Sequence, residues 1–426
     1  MRALREEWQR LLSSKIARNT GWMLAGQGGN LFLQAAYFVL MSRLLGSTEY
    51  GIFIGAFAFT SLIATYSAMG SGTLLLRYVS TDAGRFAAYW GNILLITTAL
   101  SAILILAASF AAPHLLNPAS AALVVITGLA NCFCGEITRN ASMVFQAFER
   151  LSVTAGLGLA TSLLRLCAVT AMYFTLHHAT ALQWSVVSLA VSAFAAVAAV
   201  IAVTVNYGWP HFSMQLARLR IAEGFGYSFA FSTSTVFNDV DKSMLSHYGM
   251  NTANGVYGLA YRAIDMATMP VIALRDASIS RFFRSGAVSR HDTKIFAFRL
   301  LKRASPISFL ISFILFFAAP LIPLLAGPSF AESAAAVRWL CLLPLFRSVH
   351  QITGSGIVGL GKQIYRTAST LTVAGANFGL NLWFIPAYGW RGAAWTSLFS
   401  DGLLAVLNFG LLLFLCRSGD EAQASR

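Results

Sequence analysis

Long apolar stretches follow one another along the whole chain, separated at short intervals by Gly, Pro or a charged residue. An α-helix needs about 20 mostly apolar residues to cross a bilayer. Six such stretches occupy the first half, at 21–44, 51–76, 86–111, 120–147, 153–175 and 181–205. Six more follow, at 224–247, 255–279, 300–325, 332–360, 363–385 and 390–416. Backbone polar groups cannot stay unpaired in lipid, and no short barrel-like alternation is present, so each stretch is predicted to be a helix. The pattern predicts an all-α integral membrane protein of about twelve transmembrane helices.

The stretches divide the chain into a tail (1–20), a six-helix lobe (21–205), a linker (206–223), a second six-helix lobe (224–416) and a C-terminal tail (417–426). Laid over itself with an offset of 204 residues, the sequence matches in a short core. Gly51, Phe53, Ala56 and Phe57 fall on Gly255, Tyr257, Ala260 and Tyr261, and Arg77-Tyr78 falls on Arg281-Phe282. In each half a glycine, Gly46 or Gly249, precedes the matched span, as a helix C-cap and short hairpin require. With six spans per half the repeats share one orientation, which predicts two parallel lobes around a central site.

Composition changes the picture only by exclusion. With 57% apolar and 11% charged residues, no soluble core could cover the apolar surface. The net charge of +14 would point to nucleic acid in a soluble protein, but its distribution follows topology instead. With the N-terminus in the cytoplasm, the basic residues of the N-terminal tail, the even-numbered loops and the C-terminus all lie inside; only Arg43 and Arg391 fall on the periplasmic side. This predicts a multi-pass inner-membrane protein with both termini cytoplasmic, no nucleic-acid partner and an uncleaved first helix. The basic run Arg281, Arg284, Arg290, Lys294, Arg299, Lys302 and Arg303 could meet anionic membrane lipids or serve as a plain topology anchor. Cys132, Cys134, Cys167, Cys341 and Cys416 lack metal spacing and are read as packing residues, and no cofactor or metal is expected. The periplasmic loops are brief and leave no room for a catalytic domain, so no enzyme is expected.

Candidate chemistry lies in ionisable residues at membrane depth, where each is costly and usually faces an interior or a water-filled path. Glu136 with Arg139, Asp239 with Lys242, and Arg262 with Asp265 are each spaced three apart on one helix face, where they can neutralise one another or meet a substrate. Arg165, Arg347 and Asp401 have no partner on their own helix and are read as lining a central cavity. Arg139, Arg165, Lys242, Arg262 and Arg347 suit an anionic diphosphate, since guanidinium offers phosphate a fixed fork of donors. Asp241 is read as left over by the Asp239–Lys242 pair and so as a coupling carboxylate, with Asp265 and Asp401 as further candidates. Pro270 should bend its helix. Gly354, Gly356 and Gly359 spell a dinucleotide fingerprint formally, but no strand precedes them, and close helix packing is the reading kept. His114, His177, His178 and His247 are read as a solvated rim.

The run Asn238, Asp241, Lys242, Leu245 and Gly249, then Gly255, Tyr257, Ala260 and Arg262, together with Gly46, Tyr50, Gly51 and Phe53, resembles the polysaccharide transporter family, the O-antigen and exopolysaccharide flippases of the multidrug/oligosaccharidyl-lipid/polysaccharide (MOP) superfamily. The resemblance implies a MATE-like fold and an undecaprenyl diphosphate-linked oligosaccharide as cargo for O-antigen, capsule or exopolysaccharide synthesis. It also implies alternating access driven by protons or sodium ions, and further partners in a polysaccharide polymerase and a chain-length regulator. The alternative is an ion-coupled multidrug exporter of the same fold, against which the cavity arginines argue. A lipid-linked sugar ligase would want a large periplasmic loop, and a scaffold would have no use for costly buried charge.

Overall fold

The computed structural model describes residues 15–424, in which helices and short turns account for all the regular structure. In chain order these are α1 (Lys15–Ser67), α2 (Ser71–Val79), α3 (Phe86–Leu115), α4 (Pro118–Ala121), α5 (Val124–Gly128), a π-helical segment (Leu129–Gly135) and α6 (Glu136–Ala147). There follow α7 (Leu151–Leu176), α8 (Ala181–Tyr207), α9 (Met214–His247), α10 (Asn251–Val288), α11 (Arg290–Ala318) and α12 (Leu321–Ala326). The last are α13 (Ser333–Leu340), α14 (Leu343–Gly359), α15 (Gln363–Tyr388) and α16 (Trp390–Ala424). Residues 1–14 of the predicted N-terminal tail lie outside the described residues.

The long first helix holds the first predicted span and most of the second, divided where Gly46 takes φ 69°, a conformation open to glycine without steric cost. Gly249 takes φ 71° at the equivalent hairpin of the second half. The end of the span at 51–76 lies in α2, beyond a break at Met69 and Gly70. Among the described residues six helices are apolar and long enough to cross a membrane by composition alone, or seven when Pro328–Leu340 and α14, bent by 45° at their junction, count as one span. Helices α9, α10 and α15 do not pass that test, because they carry ionisable and amide side chains. The predicted span at 332–360 is thus a broken helix, whereas α10 continues through Pro270 as one helix.

The predicted linker differs from expectation. Helix already resumes at Met214, and the short non-helical stretch before it is tied to α3: His211 N–H donates to the Ala87 carbonyl (2.8 Å), and Asn92 exchanges two bonds with the Ser213 backbone (3.0 and 3.1 Å). Leu216 then packs on the first core, so apolar burial extends the helix into sequence that looks like a connection. At the other end α16 runs through Ala424, so most of the predicted C-terminal tail is helical.

By contacts the chain separates into two compact units, one formed by residues through Leu45 with Ala56–Ser232, the other by Gly46–Gly55 with Thr233 onward. The first has its core around Trp90, Phe86, Tyr89 and Phe145, with Tyr207 stacked on Phe148 at 4.1 Å. The second has one core around Tyr257, Leu245, Ile264, Leu340 and Trp390 and another around Phe282, Leu300 and Ile357.

Segment 46–55 belongs to the second unit because repeat-equivalent residues meet there. A Cβ on Gly51 would lie 1.8 Å from the Asn251 carbonyl oxygen, and one on Gly255 would lie 1.9 Å from that of Ser47. Thr48 and Thr252, 204 residues apart, join hydroxyls at 2.8 Å, and Asn254 donates to the Gly51 carbonyl at 3.0 Å. Only glycine at both positions lets the two backbones come so close.

Candidate functional site

The second unit encloses a polar cavity of about 410 Å³ whose wall draws on α9, α10, α14, α15 and α16. Helical spacing aims the side chains. Tyr257, Tyr261 and Asp265 recur every four residues on one face of α10, and Arg347, His350, Gln351 and Gly354 share one face of α14.

Arg347 stands at the centre of the cavity's ionic network, 6% exposed. Its guanidinium donates to Asp265 at 2.8 Å and to the Tyr261 hydroxyl at 2.6 Å, and stands 3.8 Å from Asp401. Asp401 also meets His350 at 3.1 Å through Oδ1, while its buried Oδ2 has no partner among the described residues. Arg262 stands 3.9 Å from Asp265, at the looser end of the network. The interhelical compensation that the sequence demanded of Arg347 and Asp401 is thus supplied largely by each other and by Asp265.

The expectation for Asp241 was wrong in its premise. Lys242 does not choose Asp239: its ammonium stands 3.2 Å from Asp239 and 3.3 Å from Asp241, donates to the Asn238 carbonyl, and lies 4.0 Å from the Tyr261 ring centre. Asp241 is therefore paired, and it also accepts hydrogen bonds from Tyr257 and, at 3.4 Å, from Ser397. Sequence spacing admits i,i+3 pairs on a helix and overlooks neighbours that bend round to the same cation.

Arg139 and Arg165 belong to the first unit and do not line this cavity. Arg139 donates to buried Glu136 at 3.0 Å just after the π-helical segment and stands 6.0 Å from the Phe231 ring centre. Arg165 is half-buried with its Nε unpartnered among the described residues. The predicted cation set is therefore divided, three members in one unit and two in the other.

Three cavity groups were not in the predicted site. Arg275 and Arg366 sit near the ends of their spans, where sequence reading assigns basic residues to the cytoplasmic interface, and His350 carries no distinguishing spacing. The signal that could have found the two arginines was their position inside the predicted limits of 255–279 and 363–385. The glycines of α14 act in packing, as their apolar setting required: Cβ atoms on Gly356 and Gly359 would meet Leu412 at 3.1 Å and the Phe282 carbonyl at 2.6 Å. His114, His177, His178 and His247 are exposed, and no cluster of metal ligands occurs among the described residues. Four of the five cysteines are buried, but Cys167 is exposed, so packing does not account for it.

The fold defines the class. An inward-facing MATE-family multidrug transporter of the MOP superfamily superposes with a TM-score of 0.74 at 13% identity, over 92% of this chain and 96% of that one. The lipid II flippase MurJ in an inward closed conformation gives 0.74 at 12% identity, over 94% and 87%. The MATE multidrug transporter DinF-BH gives 0.66 at 15%, over 94% and 95%. No curated protein sequence matches the chain significantly. The sequence profile described as polysaccharide biosynthesis protein matches residues 16–285. The chain belongs to that family and has the all-α, multi-pass membrane fold of the MOP superfamily, as its sequence resemblance implied.

Proposed function

We propose that this protein is a flippase that moves undecaprenyl diphosphate-linked oligosaccharide units from the cytoplasmic to the periplasmic leaflet of the inner membrane, by alternating access, for O-antigen, capsule or exopolysaccharide synthesis. The observation that carries the reading is a cavity in the second unit lined by Arg262, Arg275, Arg347 and Arg366. Guanidinium groups in a sheltered site recognise phosphate oxygens, and burying them without an anionic task would be costly. Family membership and the likeness to a lipid II flippase support a lipid-linked cargo. The MATE likeness leaves a multidrug exporter as the second reading, but the four arginines outnumber the three lining carboxylates Asp239, Asp265 and Asp401, a balance that favours anions over the cationic compounds such a carrier would take.

In this reading Arg262, Arg347 and Lys242, with Arg139 and Arg165 of the first unit, act on the anionic cargo, and Asp241, Asp265 and Asp401 couple its movement to protons or sodium. The unpartnered Oδ2 of Asp401 is a free buried acceptor for a cation, and Asp241 is tied to Lys242, Tyr257 and Ser397, so either could report ion occupancy to several helices. A conformational preference must equal the difference in ion affinity between inward-open and outward-open states.

The test is translocation of a fluorescent lipid-linked oligosaccharide in proteoliposomes, with and without a proton or sodium gradient. Gradient-stimulated flipping is expected, and failure of flipping with intact binding of a cationic dye would support the exporter instead. Asp241→Asn should abolish gradient stimulation while sparing cargo binding; full stimulated transport by that variant would move the coupling role to Asp265 or Asp401. Both termini are placed in the cytoplasm, so an alkaline phosphatase fusion after Ser425 should be inactive and one near His178 active.

A further inference from the structure

The cations in and beside the cavity are not equivalent, and the difference lies in what already neutralises them. Lys242 is held between two carboxylates, and Arg347 stands against Asp265 and Asp401. An anion docking at either would have to displace carboxylates already bound there. Arg366 is different: half-buried, it has no carboxylate partner among the described residues. Arg275 donates to Asp276 at 2.6 Å, but Asp276 is half-exposed and outside the cavity wall, and the remaining arm of Arg275 reaches Gln351 at 3.2 Å.

The place of these two arginines is specific. A Cβ on Gly354 would stand 3.0 Å from Arg366 Nε and 3.4 Å from Asn408 Nδ2, so the missing side chain of Gly354 is the space in which this guanidinium lies. Gly354 is seven residues beyond Arg347 on α14, about 10 Å along the helix axis. The cavity therefore has an inner layer, balanced around Arg347, and an outer layer with excess positive charge near the turn at Gly361, where α14 ends. Under the proposed topology that turn is cytoplasmic, at the depth where the diphosphate of a lipid carrier lies before it is flipped.

We propose that Arg275 and Arg366, with Gln351 and Thr370 beside them, form the site that first captures the diphosphate of a polyprenyl-linked cargo, ahead of any contact with Arg347. The site rests on the flippase reading and names which residues meet the lipid diphosphate. It also places Arg347 after these two in meeting the cargo.

The experiment uses the full-length protein in nanodiscs and measures binding of farnesyl diphosphate, inorganic pyrophosphate and phosphatidylglycerol, with thermal unfolding as the fold control. Arg275→Gln with Arg366→Gln should weaken farnesyl diphosphate binding about ten-fold or more, each single variant less, and Arg366→Lys should fall between, because lysine keeps charge but loses the planar fork. Lys362→Gln, an exposed cation outside the cavity, should bind as the wild type does. Unchanged binding by the folded double variant would overturn the site; should that variant not fold, unchanged binding by both single variants has the same force. Binding of pyrophosphate or phosphatidylglycerol as tight as that of farnesyl diphosphate would overturn the assignment to a polyprenyl diphosphate. A wild type that binds no diphosphate yet flips lipid-linked oligosaccharide removes the site and leaves the flippase reading. Arginine-dependent binding with no flipping at all removes that reading and leaves the site.

Discussion

The two halves of the chain share a sequence repeat, but the two compact units treat buried charge differently. In the first, the ion pair at membrane depth is local: Glu136 and Arg139 neutralise each other within one helix, and Arg139 keeps 39% of its side-chain surface accessible. In the second, charges from α10, α14 and α16 compensate one another across helices, with the side chains of Arg347 and Asp401 8% and 1% accessible, while the Lys242 pairs stay within α9. A local pair holds its own helix neutral and asks nothing of its neighbours. A pair between helices makes the packing of those helices depend on the charge of each member, which is what a carrier needs if occupancy of a site is to move helices. The repeat supplies a common scaffold, and one half has specialised its interior for ionic chemistry.

That contrast can be broken most directly at Arg347. Arg347→Ala leaves buried Asp401 and half-buried Asp265 without this cation, and should destabilise the protein by about 3–5 kcal/mol, seen as a large drop in unfolding temperature in detergent. If Arg347→Ala costs no more than Arg139→Ala, the difference between the units is not energetic. The repeat crossing gives the next largest effect. Gly51→Ala places a methyl against the Asn251 carbonyl and should cost about 1–3 kcal/mol or more, whereas Gly156→Ala, with open space around it in the first unit, should be neutral or stabilising by up to about 1 kcal/mol. Equal behaviour of the two alanine variants would show that the crossing can relax. Smallest is Arg139→Ala, expected at about 1–2 kcal/mol, because Arg139 is itself partly accessible and only Glu136 is left buried without its cation. A loss above about 2 kcal/mol on the same unfolding assay would mean that Glu136 depends on this one cation.

Much of the architecture was legible before any coordinates. The all-helical membrane fold follows from hydropathy, because a bilayer leaves the backbone little alternative to an internally bonded helix. The 204-residue repeat was visible from Gly51 and Gly255, and the hairpin glycines Gly46 and Gly249 were visible from chain pattern. Of the cavity, Arg262, Asp265, Arg347 and Asp401 were legible because an ionisable residue in an apolar stretch stands out whatever it faces.

What the sequence could not carry was partnership. Lys242 shared by Asp239 and Asp241, Arg347 shared by Asp265 and Asp401, and the hydroxyls of Tyr257 and Tyr261 within the same network all depend on side-chain reach and on which helices pack. Arg275 and Arg366 were assigned to the interface by their place near span ends, and only packing showed that they turn into the cavity, one of them into the space at Gly354. The helical start of α9 and the membership of segment 46–55 in the second unit were likewise settled by contacts. Hydropathy is a property of each residue in its solvent, so one chain suffices to read which segments enter the bilayer. Charge compensation between helices is a property of pairs, and those pairs exist only once the helices have met.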